Sequence, residues 1–408
     1  SPSRVLDWAE RTRSAALLAV EPPAPDAVRD ERAELAAVYG ELVTARRNSG
    51  ADPAALIARQ TALEHRIRRA TWHRSGSGEG AATVVTRSGQ VAALLGDSTL
   101  VSYGRYDGEL YAVVLDGRRR LIRLGPYTPV KYEADALQFA MRRMTRPGPA
   151  VALDSARASA AHSLDRLAEI LVRPLGIDPA APLVVVPARE THRLPWTALH
   201  SGPVSVNPSA TLWAATASRA GSKDDRVVIV AGPDLPGADQ EAAVVGSRHS
   251  APLILTPPES SVEAVLDAIA GADLVHFACH GYLRADNPTF SALEVSDGRL
   301  TVHELDLRGI APRRVVLASC DSAADVSYAG GELLGFVGAL LSRGTAGLVA
   351  SVVAVGDVEA VALMGALHTR LAAGMTTAAA LHAARAGVDT SDPRQFVNWC
   401  AFTAYGAG

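Results

Sequence analysis

The spacing of apolar and polar positions changes character near residue 150. Residues 3 to 73 have the periodicity of amphipathic helices, with breaks at Pro22-Pro23 and at Asn48-Ser49-Gly50. Residues 98 to 125 alternate with a two-residue period that is interrupted by the hairpin signals Asp107-Gly108 and Asp116-Gly117. The first third of the chain therefore predicts a helical hairpin or short coiled coil, then a strand meander, and then a helix at about residues 131 to 145.

After residue 150, short apolar strands alternate with helices. The predicted strands are "PLVVVPA", "RVVIVAG", "PLILT", "DLVHFA", "RRVVLASC" and "GLVASVVAV". Strands that are apolar throughout and separated by helices are typical of a mostly parallel sheet with helices on both faces. The pattern predicts an α/β fold, in which sites lie beyond the carboxyl ends of the strands.

Two of these strands end in residues with useful chemistry. The segment "LVHFACHG" ends at His280 and Gly281, and "VVLASC" ends at Cys320, 40 residues after His280. An imidazole beside a thiol lowers the pKa of the thiol and later returns the proton to a leaving amine. Because glycine has no side chain, the backbone at Gly281 can approach a ligand closely. The amides of Gly281 and Cys320 could then stabilise an oxyanion. We predict a Cys320–His280 pair for acyl transfer.

The neighbouring histidine and cysteines have simpler interpretations. His276 is predicted to be a buried core residue, with a supporting role behind His280 as the alternative. Cys279 is expected to face away from His280, and Cys400 is expected in an apolar strand near the end of the chain. The close spacing of His276, Cys279 and His280 along one strand is poorly suited to zinc, which requires a fourth ligand.

The sequence gives no reason to assign a cofactor or a metal ion. The segment "AGGELLG" lacks both the dinucleotide-binding spacing and the P-loop lysine. The segment "LPWTAL", within "ETHRLPWTALH", is expected to pack in the core, with lining of a substrate groove as the alternative.

The charge and the cysteine content restrict the possible binding partners and the cellular location. A net charge of −3 leaves no overall basic field for direct binding to nucleic acid. No run of 18 or more apolar residues and no signal pattern point to a membrane or to secretion. Three cysteines are too few for a disulfide framework and suit a reducing compartment, so we expect a cytoplasmic protein. Because the chain begins at Ser1, we expect it to be processed or to be part of something longer.

Several segments together resemble one known family. The stretches "LVHFACHG", "VVLASCDSA", "GGELLGFVGALLSRGTAGLVASVVAV" and "LPWTALH" closely resemble the CHAT peptidases. These are caspase-like cysteine peptidases, related to separases and caspases and often fused behind TPR repeats. The end of the chain, "AALHAARAGV" and "FVNWCAFTAYG", is similar to the family's closing helix and final strand. The resemblance implies that His280 and Cys320 form the catalytic dyad.

The resemblance also implies a division into domains. Residues 1–74 would be an N-terminal helical connector, and "SGSGEG" at residues 75 to 80 a flexible linker. Residues 81–180 would be a strand-rich, pseudo-protease half that supports the caspase-like catalytic half at residues 181–408. Residues 81–408 together would form the CHAT domain.

This sequence departs from the family in the region of the substrate pocket. Val353 and Ala354 stand where the family commonly has tryptophan and proline, and residue 318 is alanine where several relatives have aspartate. The pocket candidates are therefore Asp321, Ser351 and Asp357; Asp357 is alternatively the N-cap of the following helix. These residues do not determine which substrate side chain the pocket recognises.

The favoured function is that of a cysteine endopeptidase acting on a protein substrate. An activating partner, or a repeat or sensor region preceding this chain, is expected to regulate it. One alternative is a catalytically inactive caspase-like scaffold that binds proteins. The same residues also permit an amidase or a transpeptidase.

Overall fold

The computed structural model describes residues 1–18, 28–47, 53–72, 86–219, 226–282, 290–318, 331–353 and 355–408. Within these ranges no helix has the length and apolar character needed to cross a membrane. The proposed linker at residues 75 to 80 lies outside the described residues.

The described residues form helices and strands that alternate through most of the chain. The α-helices are α1 (Pro2–Leu18), α2 (Arg29–Arg47), α3 (Ala54–Trp72), α4 (Ser88–Leu94), α5 (Tyr127–Met144), α6 (Ala150–Leu171), α7 (Trp196–Leu199), α8 (Ala210–Ala217), α9 (Ala238–Gly246), α10 (Val262–Ile269), α11 (Val302–Leu307), α12 (Gly331–Arg343), α13 (Asp357–Ala372), α14 (Thr377–Arg385) and α15 (Pro393–Ala401). The strands are β1 (Thr99–Tyr106), β2 (Glu109–Leu115), β3 (Arg119–Pro126), β4 (Leu183–Val186), β5 (Val204–Val206), β6 (Val227–Ala231), β7 (Leu253–Leu255), β8 (Leu274–Ala278), β9 (Gly281–Tyr282), β10 (Ala292–Val295), β11 (Gly298–Thr301), β12 (Arg314–Leu317), β13 (Gly347–Ser351) and β14 (Phe402–Gly406).

One 11-stranded sheet organises the molecule, in the order β3-β2-β1-β4-β5-β14-β13-β12-β8-β6-β7. Strands β13, β12, β8, β6 and β7 are parallel to one another. Strand β14 is antiparallel to β13 and parallel to β5, which continues in parallel to β4 and β1. The prediction of a mostly parallel α/β sheet is confirmed.

Helices cover both faces of this sheet, as the continuous apolar strands require. In β8, Val275 and Phe277 join the core beneath α5, α6, α10 and α12. Leu274 and Ala278 face the other way, into the core beneath α9, α13 and α14. Successive side chains of a strand alternate between faces, so one segment contributes to both cores.

The predicted meander is confirmed at both of its turns. Asp107 and Gly108 both have positive φ, 49° and 79°, which is the backbone of a two-residue type I′ hairpin loop between β1 and β2. Gly117, at φ 83°, turns β2 into β3. Glycine and aspartate tolerate this left-handed region better than other residues, so the turn sequence fixes the register of the strands.

The predicted helical hairpin is formed by α2 and α3. The Tyr39 hydroxyl donates to Glu64 Oε1 over 3.1 Å, and Gln60 Nε2 donates to the same oxygen over 2.7 Å. At the surface, Arg59 pairs with Glu34 at 2.9 Å. Gln60 and Glu64 both belong to α3, so the buried Tyr39–Glu64 hydrogen bond is the one of these two that joins the helices. A buried hydrogen bond of this kind contributes more than the surface ion pair.

The structure differs from the sequence-based expectations in two places, at Cys400 and directly after His280. Cys400 lies in α15, not in a strand, since the helix continues to Ala401 before β14 begins. A separate three-stranded sheet, β11-β10-β9, follows His280 directly and was not predicted. Its strands have only two to four residues, too few for alternation to reveal them.

Candidate active site

His280 lies two residues beyond the end of β8, at the carboxyl edge of the parallel strands. The carbonyl of His280 accepts a hydrogen bond from the Glu294 amide over 2.8 Å. Gly281 then pairs with Leu293 as β9 begins. The backbone at His280 is therefore fixed between the large sheet and the small one, while its side chain is half-buried at the sheet edge.

The imidazole of His280 has a defined orientation. Its Nε2 lies 3.2 Å from the backbone carbonyl oxygen of Asp234, in the loop after β6. A carbonyl oxygen can only accept, so Nε2 carries the proton and Nδ1 is the basic nitrogen of the neutral ring. Nδ1 is buried and has no hydrogen-bond partner among the described residues. The ring is thus arranged to take a proton at Nδ1.

The loop that orients His280 is held by close backbone packing. Asp234 has φ 55°, a left-handed conformation that is uncommon for a residue other than glycine. A Cβ added at Gly232 would lie 2.6 Å from the Glu294 carbonyl oxygen and 3.0 Å from Cys279. Only glycine lets β10 approach this loop so closely. Sequence reasoning did not single out "AGPDLPG", although a Gly-Pro-Asp segment directly after a strand is the available signal.

Cys320 and Asp321 lie outside the described residues. Strand β12, which precedes them, pairs in parallel with β8, with Leu317 opposite Phe277. The Ala318 amide donates to the Phe277 carbonyl over 3.0 Å, extending the pairing by one residue. In the sequence, Cys320 follows Leu317 by three positions and His280 follows Phe277 by three positions.

The other predicted site residues follow β13, the neighbour of β12. Ser351 ends β13 and is almost fully buried, and its Oγ hydrogen-bonds to the backbone of Val353. Asp357 is the first residue of α13, whose N-cap is Gly356, so the interpretation of Asp357 as an N-cap was wrong. Both residues belong to the connection that leaves the sheet beside β12. Ala354, in the same connection, lies outside the described residues.

The two cysteines within the described residues are buried in the core and are not joined by a disulfide bond. Cys279 faces the core beneath α10 and α12, as expected, and burial raises its pKa. Burial also raises the pKa of Cys400 to about 12. Neither thiol forms a thiolate near neutral pH, so neither is a nucleophile.

His276 is fully buried, as predicted, but it belongs to a row of polar groups that the sequence did not reveal. Its Nδ1 lies 3.0 Å from His368 Nε2 in α13, and His368 Nδ1 lies 2.9 Å from His249 Nε2 after α9. At the other end, His276 Nε2 lies 3.3 Å from Glu241 Oε1, without hydrogen-bond alignment. One proton on each Nε2 satisfies both contacts between rings, so the row is stable with neutral histidines.

This row makes the fold sensitive to acid. Burial, followed by the charges of His276, His249 and Arg314, holds the pKa of His368 well below its ordinary value. The unfolded chain therefore binds more protons below about pH 6.5, and the free energy of unfolding falls as the pH decreases. We expect a loss of about 1 kcal/mol per pH unit between about pH 6 and pH 5 from this histidine. Urea unfolding at a series of pH values measures it.

The His368→Gln variant tests the assignment, because it removes this titrating group and should reduce the slope by about 1 kcal/mol per pH unit between about pH 6 and pH 5. Other buried histidines, such as His192, keep their contribution to the slope. His162→Gln, on the exposed side of α6, is the matched control and should keep the dependence of the native chain. An equal slope for His368→Gln and the native chain would contradict the assignment.

The "LPWTAL" segment packs in the core, as expected. Trp196 is buried, its ring centroid lies 4.8 Å from that of Tyr103, and its Nε1 donates to the Thr191 carbonyl over 3.0 Å. His200 Nε2 lies 2.8 Å from the Ala181 carbonyl. Burial, together with Arg13, lowers the pKa of His192 to about 4. These side chains support the fold and do not face His280 in the described contacts.

Comparison with protein families shows to which family the chain belongs. The model of the CHAT domain matches residues 161–407, which is more than half of the chain. The chain belongs to the CHAT domain family. The resemblance found in the motifs around His280 and Cys320 is therefore confirmed at the level of the family.

One solved structure places this chain in the caspase-like fold, and a second gives a weaker match. A crystal structure of the Saccharomyces cerevisiae separase–securin complex matches with a TM-score of 0.56 and 11% identity, covering 78% of this chain and 30% of that chain. The Arg-specific cysteine proteinase gingipain R matches with a TM-score of 0.38 and 13% identity, over 68% of this chain and 75% of the proteinase. No curated protein gives a significant match to the sequence. The separase match confirms the predicted fold.

Proposed function

We propose that this CHAT domain is a cysteine endopeptidase that uses Cys320 and His280. The observation that carries the proposal is the geometry of His280, whose ring is held by the Asp234 carbonyl at the edge where β8 and β12 leave the sheet. Cys320 follows β12 by the same number of positions as His280 follows the paired residue in β8. Acyl transfer by a thiol requires a base within hydrogen-bond reach of the nucleophile, and adjacent strands would bring the two residues together.

The reaction would proceed by two acyl transfers. Nδ1 of His280 takes the proton of the Cys320 thiol, and the thiolate attacks the carbonyl carbon of the peptide bond. The amides of Gly281 and Cys320 stabilise the oxyanion, and the imidazolium returns the proton to the leaving amine as the C–N bond breaks. Water then attacks the thioester, giving up a proton to His280, and the acid product and free thiol are released.

The substrate would be a protein whose side chain enters a pocket beside β13. Asp321, Ser351 and Asp357 are the candidates for its wall. If Asp321 or Asp357 lies in that wall, its carboxylate would pair with a basic side chain of the substrate. Because Ser351 Oγ already bonds to Val353, we expect Ser351 to shape the wall more than to bind the substrate.

The N-terminal connector, proposed to span residues 1–74, is the route by which an activating partner or a preceding repeat or sensor region would act. Helix α1 is anchored to the body of the molecule, since Glu10 Oε2 accepts hydrogen bonds from Thr211 N and Oγ1 at 2.8 and 2.9 Å. Past the end of α8, Arg219 Nη1 donates to the Leu341 carbonyl in α12 over 3.2 Å. A displacement of α1 therefore has a contiguous path to α12, the helix that follows Cys320 in the sequence.

In the proposed division of the CHAT domain, one half contains the catalytic residues and the other half supports them. Both dyad residues fall in the catalytic half, residues 181–408. The half at residues 81–180 supplies the β1–β3 meander and the helices α5 and α6 that cover one face of the sheet. We propose that the protein works in the reducing cytoplasm, which keeps the Cys320 thiol available.

The test is to incubate the chain and a Cys320→Ala variant with a proteome-derived peptide library and to map the new termini. We expect termini that appear with the native chain and disappear with Cys320→Ala. A reaction in heavy-oxygen water separates hydrolysis, which labels the new C-termini, from transpeptidation, which does not.

The Cys400→Ala variant is the matched control, since it removes a buried thiol that is not expected to react. Identical termini from the native chain and Cys320→Ala would overturn the proposal and favour a binding scaffold. Equal losses in Cys320→Ala and Cys400→Ala would mean that folding, and not nucleophilic chemistry, had been disturbed.

A further inference from the structure

A cavity of about 270 Å³ lies between α2 and the turn from β11 into α11. On one side α2 contributes Leu35 and Arg32, and on the other side lie Phe290, His303 and Glu304. The cavity is built from α2, the end of β11 and the start of α11, with Phe290, and His280 is not among its lining residues. Its walls combine an apolar surface with ionisable groups, which is the composition of small-molecule sites.

His303 gives this cavity an unsatisfied hydrogen-bonding group. The side chain is only 6% exposed and packs against Phe290, with ring centroids 5.4 Å apart. Its Nε2 is buried and has no hydrogen-bond partner among the described residues. A buried polar atom without a partner costs free energy, so an occupant of the cavity that bonds to His303 Nε2 would remove that cost.

The electrostatic setting of His303 favours an anion as that occupant. Glu304 is the acidic residue among those lining the cavity, and its Oε2 already accepts from Thr301 N at 2.8 Å and Thr301 Oγ1 at 3.1 Å. Burial, with the positive charges of Arg32 and Arg343, lowers the pKa of His303 to about 4. A neutral imidazole with its proton on Nε2 can donate to an anionic oxygen beside these arginines.

We propose that the cavity between α2 and α11 binds a small molecule with an anionic group on an apolar body, and that this ligand is an effector of the site at His280. The anionic group bonds to His303 Nε2 and pairs with Arg32. The apolar body contacts Leu35 and Phe290. Binding of the ligand does not depend on peptide cleavage, whereas its role as an effector rests on the proposed function of the site at His280.

A short hydrogen-bonded path joins the cavity to His280. Thr301, on the cavity wall, pairs with Ala292 of β10, and the Val302 amide donates to the Ser291 carbonyl over 3.1 Å. Strand β10 in turn pairs with β9, which begins at Gly281. A ligand that stabilises the turn at Thr301 therefore also stabilises the strand whose first residue follows His280.

The test is calorimetric titration of the chain with phenyl phosphate, using benzyl alcohol as the neutral probe of similar body. We expect phenyl phosphate to bind at least tenfold more tightly than benzyl alcohol. His303→Phe, which keeps the ring packing on Phe290, and Arg32→Gln should each weaken phenyl phosphate binding at least tenfold, because each removes a charge-assisted contact. Arg66→Gln, on α3 outside the cavity, should bind like the native chain.

The coupling to His280 is measured by amide hydrogen exchange of β9 and β10 with and without phenyl phosphate, and we expect slower exchange with it. No binding by the native chain, as for a cavity that holds only water, would overturn the proposed site. Binding that is unchanged in both His303→Phe and Arg32→Gln would overturn it as well. Binding without a change in exchange would overturn the effector role. None of these measurements uses cleavage, so their outcome is independent of the proposed peptidase activity.

Discussion

Replacing His280 with alanine is expected to lower kcat/KM for peptide cleavage by about 10²- to 10⁴-fold. In the proposed mechanism His280 acts twice, as the base that activates Cys320 and as the acid that protonates the leaving amine. Its ring is half-buried at the sheet edge, and its one side-chain hydrogen bond among the described residues goes to the Asp234 carbonyl. The loss should therefore affect catalysis with little effect on folding.

The measurement is initial-rate kinetics on a fluorogenic peptide that contains a mapped cleavage site, together with the melting temperature of each variant. His382→Ala is the matched control, because His382 is also a half-buried histidine but lies in α14. Its rate should stay within about twofold of the native rate. A His280→Ala rate within tenfold of the native chain, at an unchanged melting temperature, would remove His280 from the proposed dyad.

The Asp273→Ala substitution is expected to lower the free energy of unfolding by about 3–5 kcal/mol. Asp273 is 4% exposed and precedes β8, while Arg313 and Arg314 lie at the start of β12. The Asp273 carboxylate pairs with the Arg313 guanidinium through both oxygens and with Arg314 Nη2 at 2.5 Å. Removing the carboxylate leaves two arginines, mostly buried, without their shared anion.

Urea denaturation with linear extrapolation gives the change in free energy. Asp267→Ala is the control, since Asp267 is 70% exposed and pairs with Arg308 at the surface, and it should cost less than about 1 kcal/mol. Asp273→Asn keeps the size of the side chain and isolates the contribution of the charge. A cost for Asp273→Ala no larger than that of Asp267→Ala would contradict a role for this cluster in joining β8 to β12.

The Asp273 cluster also bears on the site, because it joins the two strands that lead to His280 and Cys320. The cluster pairs the strands at their starting ends, and the register then continues through Leu317 and Phe277 to the ends where the dyad is proposed. A shift of one residue would turn every side chain of β12 to the other face of the sheet. The stability of this cluster is therefore expected to support the alignment of the proposed dyad.

Much of the fold was predictable from the sequence because its signals are local. Apolar runs predicted β4, β6 and β8 to within about two residues, and Asp107-Gly108 predicted the first turn of the meander. They also located β12 and β13, although these strands end at Leu317 and Ser351, earlier than predicted. The candidate His280 was also readable, since a histidine and a glycine end an apolar strand. Strands as short as β9 were not predictable, because two to four residues carry too little periodicity. Cys400 was misplaced because the apolar segment near the end of the chain passes directly from α15 into β14.

The sequence by itself determined the α/β class, the parallel strands, the helical hairpin and the family, since all of these rest on periodicity, turn residues and contiguous motifs. Only the tertiary structure decided which distant groups meet: the Asp234 carbonyl with His280, His276 with His368, and Asp273 with two arginines. It also decided that His303 lies beside Arg32 on a cavity wall. Such contacts depend on the packing of segments far apart in the chain, and local spacing contains no information about them.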